Sequence, residues 1–296
     1  MMNIRVFTAF SGYDSQCMAL QRIAECHPDF CFDLVGWSEI EPNAIKAHNA
    51  AFPQWAERNF GDITKIDWDT VPDFDLFTYS SPCQDFSLAG VQRGGAEGSG
   101  TRSSLLWECR KAILAKRPKY MIFENVANLL SEKFIHTFRA WEQELSSYGY
   151  SNYCKCLNAK NYGVPQNRNR VFLVSFLTEQ IFNFPKPIKL EKRLKDVLET
   201  EVSERYYLPD EVVARMLDNA SGLLSPPEAG MPKILIESED EFKNIGGRRI
   251  GPLNVYQGGV CRTIKAQYGK NSLNNFTRAD NFGATAVIEM DLDDGN

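Results

Sequence analysis

Residues 74–90 of the chain read FDLFTYSSPCQDFSLAG, an apolar run followed by a proline, a cysteine and a loop of small and polar residues. The first six residues are typical of a buried strand, because apolar and aromatic side chains dominate them. A cysteine with a packing role usually lies within an apolar stretch, whereas Cys83 lies just beyond one. The pattern indicates either a packed thiol in a tight turn or a nucleophile at the end of a strand.

Similar apolar runs alternate with helical patterns through the first two thirds of the chain. We predict strands at 4–10, 33–38, 74–79, 119–124, 151–158 and 171–176, and helices at about 42–52, 104–116, 131–148 and 208–219. Strands that alternate with helices of about 10–15 residues are typical of a parallel sheet covered on both faces. The expected fold class is therefore α/β, with a Rossmann-like sheet.

The character of the sequence changes after residue 185. Residues 221–232, SGLLSPPEAGMP, have the composition of a linker, and residues 245–289 combine many glycines and asparagines with short β-like runs. We predict a catalytic and cofactor-binding domain at 1–185 and a smaller, irregular β-rich module at 186–296.

The charge distribution is uneven. The net charge of −5 disfavours a protein that coats nucleic acid without specificity. Between 246 and 279, however, basic residues occur without any acid: Arg248, Arg249, Arg262, Lys265, Lys270 and Arg278. This stretch indicates either a localised surface for a polyanion or an ordinary solvated loop, and charge alone favours neither.

Cysteine usage bears on the compartment. No stretch resembles a signal peptide or the roughly 18 apolar residues of a membrane span. The eight cysteines are therefore expected to be thiols in a cytoplasmic protein without a membrane partner. Their spacing does not match a zinc site, so we expect no metal.

Polar residues lie at the carboxyl ends of the predicted strands, where open α/β sheets bind ligands. Phe10-Ser11-Gly12 follows the first strand, although a tight turn would explain it equally well. Glu39 ends the second strand, where an acid commonly binds ribose hydroxyls, and Asp62 lies in a later turn. The pattern favours a nucleoside cofactor. Because the phosphate-binding G-x-G-x-x-G is absent, S-adenosylmethionine fits.

A carboxylate and two arginines complete the set of candidate residues. Glu124 ends another predicted strand, so it can share a pocket with Cys83. A thiolate and a carboxylic acid suit addition to an electron-poor ring, in which sulfur attacks carbon and the acid protonates or hydrogen-bonds a ring nitrogen. Arg168 and Arg170 lead into the strand 171–176 on one face, where guanidinium groups can bind carbonyl and phosphate oxygens.

Taken in order, these residues resemble the motifs of the DNA (cytosine-5)-methyltransferases of restriction-modification systems. FSGYDSQ, SEIEP and GDI resemble the first three motifs, SSPCQDFSLAG the catalytic Pro-Cys-Gln motif, TRSSLLWE the fifth motif, FENV the Glu-Asn-Val motif and QNRNR the Gln-x-Arg-x-Arg motif. Glu-Asn-Val follows Pro-Cys-Gln by about forty residues and Gln-x-Arg-x-Arg follows by about forty more, which makes the resemblance specific. It covers roughly residues 4–176.

The resemblance implies a reaction. A methyl group passes from S-adenosylmethionine to C5 of cytosine in double-stranded DNA, with the base flipped out of the helix. Cys83 would add to C6, Glu124 would stabilise the N3-protonated ring, Arg170 would lie near the base oxygen, and Arg168 would support the site. β-Elimination then frees the thiol. A bacterial or phage-encoded protein is implied.

It also implies binding residues around this centre. Those expected to bind the cofactor are Phe10, Ser11, Gly12, Glu39, Ile40, Asp62, Ile63, Ser80, Pro82 and Leu105. Those expected to bind the substrate are Gln84, Ser87, Arg102, Asn125 and Gln166. The glycine-rich loop 85–103 would close over the flipped base.

The resemblance is incomplete toward the carboxyl terminus. The family usually continues with an Arg-x-Leu-Thr-x-x-Glu motif and a Gly-Asn motif that opens a last helix. Residues 193–199, RLKDVLE, lack the threonine, and Gly295-Asn296 is followed by nothing in this sequence. We therefore expect a chain without the last two motifs. One alternative is a truncated or split-enzyme subunit that binds cofactor or DNA and needs a complementing C-terminal polypeptide; another is an RNA (tRNA) cytosine-5 methyltransferase.

Overall fold

The protein is represented by a computed structural model that describes residues 1–82, 102–197, 243–245, 248–250 and 261–262. The predicted helix at 208–219, the linker at 221–232 and most of the acid-free basic stretch lie outside these residues.

The described elements alternate as the sequence predicts. In chain order they are β1 (Met2–Ala9), α1 (Ser15–Cys26), β2 (Phe30–Ser38), α2 (Pro42–Ala51), β3 (Leu76–Tyr79), α3 (Cys109–Lys116), β4 (Tyr120–Val126), α4 (Ile135–Ser147), β5 (Ser151–Asn158), β6 (Gln166–Asn167), β7 (Asn169–Phe176), β8 (Lys243–Ile245), β9 (Arg248–Ile250) and β10 (Cys261–Arg262). A 3-10 helix at Arg102–Glu108 precedes α3, so the helix predicted at 104–116 is only partly α-helical. The α-helix predicted at 131–148 begins four residues later, at Ile135, after a turn that starts at Ser131.

Six of the described strands form one sheet in the order β2-β1-β3-β4-β7-β5. The neighbours from β2 to β4 are parallel, but β7 runs antiparallel to β4. The prediction of a wholly parallel sheet is therefore wrong at β7. Apolar periodicity predicts a strand without predicting its direction, and residues 159–168 between β5 and β7 are fewer than a parallel crossover requires.

Both faces of the sheet are covered, as predicted. Successive strand residues point to opposite faces, so Val6 and Leu76 belong to one apolar cluster while Phe7 and Phe77 belong to another. The first cluster includes residues of α1 and α2, and the second includes residues of α3 and α4. All four residues of β3 are buried, which explains why this strand reads as a continuous apolar run.

Asp75 joins three strands at their amino-terminal edge. Its Oδ2 accepts hydrogen bonds from the backbone N–H and Nε of Arg5, at 3.2 and 3.1 Å, and its Oδ1 lies 3.1 Å from Nζ of Lys119. Burial opposes ionisation of this carboxyl group, but the hydrogen bonds from Arg5 and Lys119 prevail and lower its pKa to about 2. The side chain, directly before β3, therefore links this strand to Arg5 within β1 and to Lys119 directly before β4.

The chain divides into two compact units. One comprises Met1–Leu157 and Asn169–Pro185, and the other comprises Asn158–Arg168 and Lys186–Asn296. In the second unit, β6 pairs in parallel with β10, and β8 and β9 form an antiparallel pair. A domain boundary between residues 185 and 186 remains a prediction.

The predictions about thiols and membrane spans can be compared with the described residues. Cys17, Cys26, Cys31, Cys109, Cys154 and Cys156 are free thiols. Within the described segments, none of the helices combines the length and apolar character needed to cross a bilayer.

Candidate active site at the carboxyl ends of the strands

The strand register brings four of the predicted site residues into one row. Ala9 of β1 lies opposite both Ser38 of β2 and Tyr79 of β3, and Tyr79 lies opposite Phe123 of β4. The residues that follow these positions are Phe10, Glu39, Ser80 and Glu124. Because parallel strands end at the same edge of a sheet, these residues line one edge.

The turn after β1 has an unusual backbone conformation. Phe10, Gly12 and Asp14 all have positive φ, at 55°, 59° and 63°. Phe10 and Asp14 carry side chains in this left-handed region, which persists only where the surrounding structure enforces it. A Cβ added to Gly12 would meet no atom within 4 Å, so the outside of the turn is open.

A buried hydrogen-bond network holds this turn. Oγ1 of Thr8 donates to Oδ2 of Asp14 at 2.7 Å and lies 2.9 Å from Oγ of Ser11. The other carboxylate oxygen of Asp14 accepts from the backbone N–H of Cys17 at 3.1 Å and caps α1. Sequence reasoning missed Asp14, although an Asp directly before a helical pattern is a recognised capping signal.

The Glu39 carboxylate is held by the backbone. Its Oε2 accepts from the N–H of Gly12 at 2.9 Å, and its Oε1 accepts from the N–H groups of Ile40 and Glu41, each at 2.8 Å. A carboxylate oxygen can accept about two hydrogen bonds, so Oε2 retains capacity for a ligand hydroxyl. Ile40 beside it keeps 66% of its surface exposed, which offers an apolar contact.

Asp62 lies in the turn that follows Gly61. Its Oδ1 accepts from the N–H and the hydroxyl of Thr64, at 3.0 and 2.8 Å, which leaves Oδ2 available apart from a distant contact with Lys65 at 3.9 Å. The backbone N–H of Thr64 is the main cause of a lowered pKa for Asp62. The neighbouring Ile63 is packed in the apolar core, 3% exposed.

Asn59 links the regions of these two acids and was not singled out from the sequence. Its Oδ1 accepts from the N–H groups of Glu39 and Gly61, and its Nδ2 donates to the carbonyl oxygen of Glu39. An Asn two residues before a Gly in a polar segment is a turn signal that would have identified the contact with Gly61.

The end of β3 is fixed by its neighbours. The Ser80 hydroxyl accepts from Nε2 of Gln16 at 3.2 Å, and the carbonyl of Ser81 accepts from Nδ2 of Asn125 at 3.3 Å. Asn125 is itself buried, so its side chain anchors the chain just before Pro82. Cys83, Gln84, Ser87 and residues 85–101 of the expected lid lie outside the described residues.

Glu124 forms an ion pair with Arg170. The Nε of Arg170 lies 3.0 Å from Oε1 of Glu124, and both side chains are largely buried, at 16% and 24% exposure. Glu124 lies opposite Phe172 and Arg170 opposite Val126, so the two are diagonal neighbours across the β4–β7 pair. The antiparallel pairing of β7 with β4 therefore places Arg170 beside the Glu124 carboxylate.

The remaining predicted residues fall elsewhere. Gln166 and Arg168 belong to the second compact unit, where the N–H of Arg168 donates to Oδ1 of Asn158 at 3.2 Å. Leu105 is half-buried in the 3-10 helix before α3. Arg102 begins that helix, and its side chain lies outside the described part of the protein.

The fold is of the Rossmann-like α/β type found in S-adenosylmethionine-dependent methyltransferases. Residues 4–275 match the model of the C-5 cytosine-specific DNA methylases, and the chain belongs to that family.

Curated relatives and a solved structure agree with this assignment. The chain is 38% identical over 263 residues to the type II methyltransferase M2.ScrFI of Lactococcus lactis subsp. cremoris, covering 71% of this chain and 72% of the relative. It is 41% identical over 174 residues to the orphan methyltransferase M.SssI of Spiroplasma monobiae, covering 57% of this chain and 45% of the relative. The fold is similar to that of the Entamoeba histolytica methyltransferase EhMeth, with a TM-score of 0.58 at 18% identity, over 73% of this chain and 67% of that one.

Proposed function

We propose that the chain transfers a methyl group from S-adenosylmethionine to C5 of cytosine in double-stranded DNA, through a covalent bond between Cys83 and C6 of a flipped base. The observation that carries this proposal is the row of strand ends in which Glu124, paired with Arg170, lies beside the segment Ser80–Pro82 that leads to Cys83. The chain's membership of the family and its Pro-Cys-Gln sequence support the same chemistry.

The residues at the ends of β1 and β2 fit the nucleoside part of the cofactor. Oε2 of Glu39 retains an acceptor site for a ribose hydroxyl, and Oδ2 of Asp62 can accept from an adenine amino group. The open space outside Gly12 admits a ligand close to the backbone, and Ile40 offers an apolar surface. When bound, S-adenosylmethionine supplies a methyl group on a positively charged sulfur.

Cys83 and Glu124 have different roles in the reaction of the base. C5 of cytosine is a weak nucleophile, and addition of the Cys83 thiolate to C6 makes it electron-rich. Glu124 holds the proton at N3, which favours the addition, while the guanidinium of Arg170 orients the carboxylate. After methylation, loss of the C5 proton and cleavage of the sulfur–C6 bond restore the ring and the thiolate.

The other substrate contacts follow from the resemblance. Gln84, Ser87, Arg102, Asn125 and Gln166 would bind the flipped base and its strand, and Arg168 would have a supporting role. The loop 85–103 would close over the base. Leu105, Ser80 and Pro82 would complete the walls of the cofactor pocket.

A methyl-transfer assay tests the proposal. The purified chain is incubated with radiolabelled S-adenosylmethionine and mixed-sequence double-stranded DNA or tRNA, and the DNA is then digested to nucleosides. We expect label in 5-methylcytosine from DNA with the wild-type chain and none with Cys83→Ser. Label in tRNA alone would favour the RNA methyltransferase. Cofactor binding without transfer would favour a binding subunit, and transfer that requires an added C-terminal polypeptide would favour a split enzyme.

A further inference from the structure

We propose that Asn59 is a positioning residue that sets the distance between the two acids of the nucleoside site, Glu39 and Asp62. This inference rests on the proposed cofactor. Asn59 need not touch the cofactor itself. It acts through the backbone of the residues on either side of the site.

Three hydrogen bonds of the Asn59 side chain define this role. Oδ1 accepts from the N–H of Glu39 at 3.2 Å and from the N–H of Gly61 at 2.9 Å, and Nδ2 donates to the carbonyl oxygen of Glu39 at 3.1 Å. Both backbone polar groups of Glu39 are thereby held by one side chain. The same oxygen holds the residue directly before Asp62.

The orientation of the amide follows from its partners. Two N–H donors face Oδ1 and a carbonyl faces Nδ2, so the reversed orientation would bring donors against donors. A carboxylate at this position keeps both acceptor contacts and loses the donor. An alanine loses all three. Asn59→Asp therefore removes one of the three hydrogen bonds, and Asn59→Ala removes all of them.

Two neighbouring hydrogen bonds hold residues 59–61 in place, but they do not replace the contacts between Asn59 and Glu39. The N–H of Phe60 donates to the carbonyl of Trp37 at 2.7 Å, and the hydroxyl of Ser38 donates to the carbonyl of Gly61 at 2.7 Å. Both hold the 59–61 segment against the last two residues of β2. Neither reaches Glu39, which lies beyond the end of β2 and carries the carboxylate.

The consequence concerns pre-organisation. A carboxylate whose backbone is already fixed loses little conformational entropy when a ligand binds. Without Asn59, Glu39 and the Gly61–Asp62 turn must be ordered by the cofactor, and its affinity falls. Because Asn59→Ala loses all three hydrogen bonds and Asn59→Asp loses only one, we expect the alanine to weaken binding about tenfold and the aspartate about threefold.

Calorimetric titration with S-adenosylmethionine tests the inference on the whole chain. The variants are Asn59→Ala, Asn59→Asp, Glu39→Ala and the double variant Glu39→Ala/Asn59→Ala. The control is Asn3→Ala, which alters an exposed asparagine at the amino-terminal end of β1, away from the site. Amide hydrogen exchange of the ligand-free protein provides a second readout at Glu39 and Gly61, since both amides lose their acceptor in Asn59→Ala.

The expected result has three parts: a tenfold loss for Asn59→Ala with Asn3→Ala unchanged, a smaller loss in the Glu39→Ala background, and faster exchange at Glu39 and Gly61. The smaller loss matters because a residue that acts through Glu39 has less to position once that carboxylate is gone. Unchanged affinity in Asn59→Ala, or an equal loss with and without Glu39, overturns the inference. If circular dichroism shows that Asn59→Ala does not fold, Asn59→Asp decides: a loss of about threefold that shrinks in the Glu39→Ala background supports the inference, and unchanged affinity or an equal loss with and without Glu39 overturns it. A wild-type chain that binds no S-adenosylmethionine would instead overturn the proposed cofactor.

Discussion

The two edges of the sheet use carboxylates in different ways. At the amino-terminal edge, Asp75 binds Arg5 and Lys119 and joins β1, β3 and β4. At the carboxyl-terminal edge, Glu39 is held by backbone N–H groups and Glu124 by a single arginine, and both acids face the region where the strands end. The first edge ties strands together, and the second carries the acceptors that we propose for the cofactor and the base.

The difference predicts that substitutions at the two edges affect stability and function separately. A substitution at Asp75 should lower the free energy of unfolding and leave the cofactor affinity intact, because it removes contacts between strands. A substitution at Glu39 should lower the cofactor affinity, and one at Glu124 should lower the rate of methyl transfer, each with a smaller effect on the free energy of unfolding. Each of the following measurements is therefore made on the variants of Asp75, Glu39 and Glu124. Each edge of the sheet then serves as the control for the other.

The largest effect is expected at Glu124. Glu124→Gln keeps the shape of the side chain but cannot hold the N3 proton as a carboxylate does, so the rate of methyl transfer should fall about 10²–10⁴-fold. Binding of S-adenosylmethionine should be unchanged, since this residue lies on the base side of the site. Single-turnover methylation of DNA measures the rate. A Gln variant that methylates at the wild-type rate would remove Glu124 from the chemistry.

A smaller effect is expected at Glu39. Glu39→Ala removes the acceptor proposed for the ribose and should weaken binding of S-adenosylmethionine by about 1–3 kcal/mol, the range for hydrogen bonds to a charged group. Calorimetry gives the affinity, and Asp75→Asn provides the matched comparison because it removes a carboxylate at the opposite edge. Equal affinities for the wild type and Glu39→Ala would exclude Glu39 from the cofactor site.

The smallest effect is expected at Asp75. Asp75→Asn should lower the free energy of unfolding by about 1 kcal/mol at pH 7. The value is modest because Arg5 and Lys119 keep 47% and 67% of their side-chain surface exposed, where solvent and salt screen the attraction. Urea unfolding measures it. A loss of cofactor affinity in this variant would contradict the separation of the two edges.

The Asp75 effect should also depend on pH. Its pKa of about 2 lies below the ordinary value of about 3.9, so the stabilisation is fully present above pH 4 and is lost as the pH falls toward 2. The difference in unfolding free energy between wild type and Asp75→Asn should stay constant from about pH 7 to 5 and shrink below about pH 4. A difference that grows on acidification would contradict the contacts described for this carboxylate.

Sequence reasoning predicted the positions of the strand ends well, because apolar runs end where polar residues begin. The ends of β1, β2 and β3 come within about one residue of the predicted ones, and Glu39 follows β2 as expected. The end of β4 was placed too early. The antiparallel β7 pairs with Glu124 and Asn125 and extends β4 to Val126, beyond its pairing with β3.

Contacts between distant parts of the chain were not predictable. The ion pair between Glu124 and Arg170 depends on the direction and register of β7, which the sequence pattern does not specify. The same is true of Asn59, whose bonds to Glu39 span twenty residues of sequence. Local rules identify turns and helix caps, whereas the assembly of a site requires the pairing of strands.

Covalent trapping tests the central claim most directly, that the thiol which follows the end of β3 attacks the base. A duplex in which 5-fluorocytosine replaces cytosine cannot lose the C5 substituent after methylation, so the enzyme stays bound through Cys83. With S-adenosylmethionine present, the wild-type chain should form a complex with this DNA that survives denaturing electrophoresis, and Cys83→Ser should form none while still binding the cofactor. An equally stable complex with Cys83→Ser would contradict the account.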